Sequence, residues 1–251
     1  MDQIYIPKNR SGFRVGNYVV IKPIETQKNI EKPYFYSIKN LEPIKTRIVD
    51  EIFKTINKTV EKYNNIIITG SFLDEGFNFN DIDILLITED KISTNKLRET
   101  IKELTGAETH IILLNNQTLI AGLATDPLYQ TMLSKCISKK RLIYNIKRRI
   151  DYKILDLHLL KSKTLIDNFD ILDGAEKYYL ARNMVAIFLY IQHKKISKEI
   201  IDHELVKLFH LQSINEIKKN MLDKNLFLKE YKIVYDETFN LIMKSIKHGS
   251  K

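Results

Sequence analysis

Residues 66–84 read IIITGSFLDEGFNFNDIDI, and the fold turns on how this stretch divides. Ile66 to Thr69 is a short, β-branched apolar run of the kind that forms a strand buried on both faces. Gly70-Ser71 ends that run and opens a polar loop, and Asp81-Ile82-Asp83-Ile84 starts a second strand that continues to Thr88. Side chains alternate across a strand, so Asp81 and Asp83 are expected on one face while Ile82 and Ile84 enter the core. Two adjacent carboxylates repel each other unless a cation lies between them, and hard oxygen donors suit a hard divalent ion such as Mg2+ or Mn2+. Gly70 permits close backbone approach, and Ser71 with nearby N–H groups offers hydrogen bonds to phosphate oxygens.

Working outward, Ile44, Ile48, Ile52, Ile56 and Val60 recur every four residues, which predicts a helix ending near Tyr63. Further upstream, the β-prone runs IYI and YVVIKPI flank a turn with two glycines, which predicts a small hairpin within residues 1–40. Downstream, a helix is expected over Lys91 to Leu104, a turn at Gly106, and a third strand in THIILLN. Strand, loop, strand, helix, strand defines a mixed α/β sheet. From about Asp126 the chain is expected to be helical to its end. Apolar stripes are expected at Ile150, Ile154, Leu157 and Leu160, at Tyr179, Met184, Ile187 and Tyr190, and at Ile233, Phe239 and Ile242. The expected organisation is thus a hairpin region over 1–40, an α/β domain over 41–145 and an all-helical domain over 146–251 forming the far wall of a cleft.

The segment with Gly70-Ser71, nine intervening residues and Asp81-Ile82-Asp83-Ile84 resembles the signature of the DNA polymerase beta-like nucleotidyltransferase superfamily. The resemblance spans Ile66 to Asn115, and PLYQTMLSKCISKKRLIY, starting at Pro127, is similar to the stretch that closes this domain in small members. It implies an enzyme in which an acceptor hydroxyl attacks the α-phosphate of an NTP co-substrate and pyrophosphate leaves. By the same resemblance Asp81 and Asp83 would hold divalent ions and Ser71, beside Gly70, would grip the triphosphate. A third carboxylate is expected on a following strand, and there the sequence offers Glu108 and His110. Glu108 is slightly favoured, as a metal ligand, because its carboxylate suits a hard cation. His110 is the alternative, as a general base or as a strand-edge residue without a role.

Other features have plainer readings. Asp74 and Glu75 are expected to be solvated turn residues. Lys139-Lys140-Arg141 and Lys147-Arg148-Arg149 form the densest positive cluster, read first as a solvated face and second as a phosphate or nucleic-acid contact. Arg182 lies on a helix whose aromatic residues read as core, a phosphate contact by it being the less favoured reading, and His193, His203 and His210 lack metal-ligand spacing.

The 251 residues, 44% hydrophobic and 28% charged, can bury a real core, which sets disordered and fibrous classes aside. A net charge of +9 either attracts a polyanion or phosphorylated ligand, without saying which, or reflects a Lys-rich, Ile-rich composition with basic solvated faces; an NTP and an acceptor such as RNA or another protein are what the resemblance implies. No stretch approaches the ~18 uninterrupted apolar residues of a membrane span, and the single Cys136 forms no internal disulfide, so a cytoplasmic location without membrane is expected. The alternatives are a polymerase-like or RNA-terminal transferase, disfavoured by small size, and a catalytically inactive nucleotide- or RNA-binding regulatory protein.

Overall fold

Helix α1 (Pro43–Thr59) starts on a proline, whose fixed φ and missing N–H suit the first helical turn, and it buries Val49, Ile52, Phe53 and Ile56. Of the expected four-residue stripe, Ile52, Ile56 and Val60 are buried and Ile48 packs against them, and only its first member departs. Ile44 is 39% exposed, because each four-residue step overshoots a turn of 3.6 residues and the stripe drifts around the helix. The structure, a computed structural model, describes residues 32–249, with side chains to Ile246. The hairpin expected over Ile4 to Ile24 lies outside the described residues.

The chain continues through β2 (Asn65–Thr69), a short 3-10 turn (Ser71–Leu73), β3 (Ile82–Ile87), α2 (Thr94–Thr105) and β4 (Thr109–Leu114). Gly106, left-handed at φ 71°, caps α2 and turns the chain into β4. Strand β3 pairs antiparallel with β2 and parallel with β4. Ile66, Ile68, Ile82, Ile84 and Leu86 pack on one sheet face with α1 and α2. Ile67, Leu85 and Ile87 pack on the other with Leu119 and Leu123 of α3 (Asn116–Thr125). The alternation that separates Asp83 from Ile82 and Ile84 therefore stops mattering after Asp83, since both faces beyond it are covered.

The chain does not stay helical from Asp126. After α4 (Pro127–Ser134) it forms β5 (Cys136–Ser138), which pairs antiparallel with β2 and with β1 (Tyr34–Tyr36), giving the order β1-β5-β2-β3-β4. Three-residue strands carry too little periodicity to read from sequence. Residues 139–151 form no helix, and the Asn65 side chain binds the backbone of Lys140 through both its oxygen and its amide. Cys136 is fully buried, with its thiol pushed up to about 12 by desolvation.

Five further helices are α5 (Tyr152–Asp167), α6 (Gly174–Ile191), α7 (Lys198–Leu208), α8 (Ile214–Lys218) and α9 (Lys224–Gly249). Helix α6 is their centre and is buried nearly all round, with Ala181, Met184, Val185, Ile187 and Leu189 at 0–1% exposure. A capping box between Asp173 and Glu176 starts it. The expected stripes are only partly the buried ones. Leu155, Leu159 and Leu165 of α5 face the core, while Leu157 and Leu160 are exposed; Ile242 is buried, while Ile233 and Phe239 are exposed. Described residues from Pro33 onward make one compact unit. Within it the Tyr190 hydroxyl of α6 donates to the Ala124 carbonyl at 2.7 Å, joining the helices to the sheet layer. No helix among the described residues is long and apolar enough to cross a membrane.

Candidate functional site

Asp83 stands opposite Thr69 of β2 and opposite His110 of β4, so three strands meet at its side chain. Asp81 immediately precedes β3. The two-residue spacing brings it to the same face, and one ligand atom each from Asp81, Asp83 and His110 lie within 4.8 Å of one another. His110 Nδ1 is 3.3 Å from Asp83 Oδ1. Burial, and next the charge of Asp81, push the Asp83 carboxyl above its ordinary range, while His110 and then Arg182 partly offset them. A cation between the carboxylates would remove the repulsion. Two carboxylate oxygens suit a hard divalent ion, Mg2+ or Mn2+, and the imidazole nitrogen within the same reach can either join them as a ligand or stay free as a base.

Gly70 is indispensable in a way the sequence only hints at. Its φ of 87° and ψ of −165° lie in a region essentially reserved for glycine. A Cβ there would fall 2.2 Å from Asp83 Oδ2. The close approach that Gly70 permits is thus to the carboxylate of Asp83 itself. Ser71 comes next as the exposed first residue of the 3-10 turn.

Glu108 does not join this group. It lies just ahead of β4, and its carboxylate turns to Lys102 near the end of α2, with which it forms an ion pair. His110 takes the place for which the sequence favours Glu108. The signal for His110 is its parallel register with Asp83, which becomes definite only once β3 and β4 are paired.

Asp74, expected to be a solvated turn residue, is instead half-buried. It accepts from Lys135 Nζ at 2.8 Å and from Lys198 Nζ at 2.5 and 2.7 Å. Burial would raise its carboxyl, but the two ammoniums outweigh that and hold it low. Burial also lowers the Lys198 ammonium despite Asp74, so the ion pair contributes less than the Asp74 side alone suggests. Nothing in the sequence marks partners 61 and 124 residues away. Glu75 is exposed, as expected.

Asp74 and Glu75 line a cavity of about 360 Å3 with Lys135, Lys198, Asp202 and Lys218. The basic clusters at 139–141 and 147–149 are not among its lining residues. Lys140 lies over the Tyr63 ring, and Arg148 donates to the Lys194 carbonyl at 2.6 Å. Among the described residues, His193, His203 and His210 belong to no metal-ligand group. No protein-family model matches the chain, and no curated protein matches it in sequence.

Proposed function

We propose that the protein is a metal-dependent nucleotidyltransferase, moving an NMP from an NTP to an acceptor hydroxyl with release of pyrophosphate. The observation that carries this reading is the gathering of Asp81, Asp83 and His110 within 4.8 Å beside the Gly70-Ser71 turn. Asp81 and Asp83 would hold the divalent ion, Mg2+ or Mn2+, which when bound neutralises charge on the triphosphate. Gly70 keeps the Asp83 carboxylate seated, and Ser71 offers a hydroxyl and backbone N–H to phosphate oxygens. His110 takes the proton of the acceptor hydroxyl as its oxygen bonds to the α-phosphorus and the bond to the pyrophosphate oxygen breaks. Asp83, 3.3 Å from Nδ1, orients the ring and favours the imidazolium that forms. The acceptor, a small molecule, RNA or protein, is left open.

The roles separate by substitution. His110→Asn lowers kcat about 10²–10⁴-fold with little change in KM for the NTP, the loss expected of a general base. Glu108→Gln leaves transfer close to wild type, because Lys102 already occupies that carboxylate. Steady-state kinetics with Mn2+ measure both, and the reverse pattern would move the base to Glu108.

A second reading, nucleotide binding without turnover, is favoured by one observation. Among the described residues no third carboxylate joins Asp81 and Asp83. It predicts Mn2+-dependent NTP binding with no pyrophosphate released.

A further inference from the structure

Helix α6 carries Arg182, followed by Asn183, in an otherwise apolar segment running from Ala181 to Ile191. Its guanidinium lies over the rings of Tyr178 and Tyr179, at 5.9 and 5.2 Å from their centroids. Its Nε is buried with no hydrogen-bond partner, and Nη2 makes a 3.3 Å contact with the neighbouring Asn183 side chain. Among the described residues it forms no ion pair within 4.0 Å, although its charge acts on the carboxylates of both Asp83 and Asp202. Asp202 already accepts the Tyr178 hydroxyl at 2.7 Å and lines the 360 Å3 cavity. Arg182 therefore sits within electrostatic reach of both the Asp83 corner and the cavity, with most of its donor capacity unused.

A buried guanidinium N–H without an acceptor forfeits a hydrogen bond that water would supply, so its retention calls for an acceptor that arrives with a ligand. Two tyrosine rings hold the planar fork in place, which reduces the entropy lost when it binds, and that fork matches the spacing of phosphate oxygens. An anion is the complementary ligand, and a divalent ion at Asp81 and Asp83 would make the neighbourhood more positive still. We propose that Arg182 forms a phosphoryl-binding subsite at the Asp83 corner, receiving phosphate oxygens of the nucleotide held at Asp81, Asp83 and His110. The assignment rests on the transfer reading for the identity of the ligand, and on the geometry of Arg182 for the subsite itself.

The test is calorimetric titration of the full chain with inorganic tripolyphosphate, without metal and with Mn2+, for wild type, Arg182→Met and Arg182→Lys. Mn2+ alone is titrated in parallel. The proposal expects Arg182→Met to weaken tripolyphosphate binding at least about tenfold in both arms. It expects Arg182→Lys to recover only part of the loss, since a point charge lacks the fork. Binding of Mn2+ alone stays unchanged or tightens, because a neighbouring positive charge has been removed. A merely structural anchor would give parallel losses of Mn2+ and tripolyphosphate binding, which overturns the proposal. So does wild-type affinity in Arg182→Met, or no tripolyphosphate binding by wild type. Absence of Mn2+ binding in wild type, with metal-free tripolyphosphate binding still dependent on Arg182, would overturn the transfer reading and leave the subsite standing.

Discussion

Asp83 shows how one residue collects several constraints. Its carboxylate needs the absent side chain of Gly70, a charge neighbour in Asp81 and a hydrogen-bond partner in His110. Gly70→Ala adds backbone strain of about 1–3 kcal/mol at this φ and ψ and displaces Asp83 Oδ2. We expect stability to fall by that amount in urea denaturation and Mn2+ affinity to fall at least about tenfold. Wild-type Mn2+ affinity in a folded Gly70→Ala variant would contradict the geometry. The raised carboxyl of Asp83 also sets a pH dependence. Just above the ordinary value of 3.8 the folded protein keeps a proton that the unfolded chain has lost, so this group's contribution to stability falls as pH rises through that window. Without metal, Asp83→Asn removes that fall and is the more stable protein above the window. With Mn2+ the order reverses, because the ion stabilises only the deprotonated pair. Denaturation across pH, with and without Mn2+, reads both signs.

At the scale of elements, legibility tracks how much burial each segment encodes. β2 and β3 are readable because a run of β-branched residues bounded by Gly70 and Asp81 admits few other structures. Helices α5 and α9 are readable as helices but not in their facing, since leucines and isoleucines occupy exposed as well as buried positions and neighbouring helices decide between them. β1 and β5 escape the reading because pairing, not periodicity, defines a three-residue strand. Lys45 is also unreadable. A lysine on the buried face of α1 contradicts the apolar pattern, yet it is fully buried and donates to the Asp74 carbonyl at 2.5 Å. The rings of Phe72, Phe77 and Phe79 surround its ammonium at 5.7, 5.7 and 5.5 Å. It ties α1 to the loop between Ser71 and Asp81. Lys45→Met keeps the aliphatic volume but unpairs the carbonyl, and we expect a loss of about 2 kcal/mol in denaturant unfolding. Retained wild-type stability would show that the loop holds without this tie.

Across the whole molecule, sheet and helices meet at the loop that joins β2 to β3. β3 and β4 present Asp83 and His110, with Asp81 just ahead of β3, while Lys198 of α7 reaches across to Asp74 on the loop after Ser71. The paired carboxylates are legible because their spacing acts within one strand. The tie between sheet and helices is not, because no local pattern links Asp74 to Lys198, 124 residues away. The most direct test of nucleotidyl transfer supplies purified protein and Mn2+ to a cell extract with each α-labelled NTP in turn, using the Asp81→Asn, Asp83→Asn double variant as the control. Nucleotidyl transfer predicts that wild type moves α-label, but not γ-label, to an acceptor in the extract, and that the double variant or a chelator abolishes the transfer. No α-label above the double variant with any of the NTPs would contradict it.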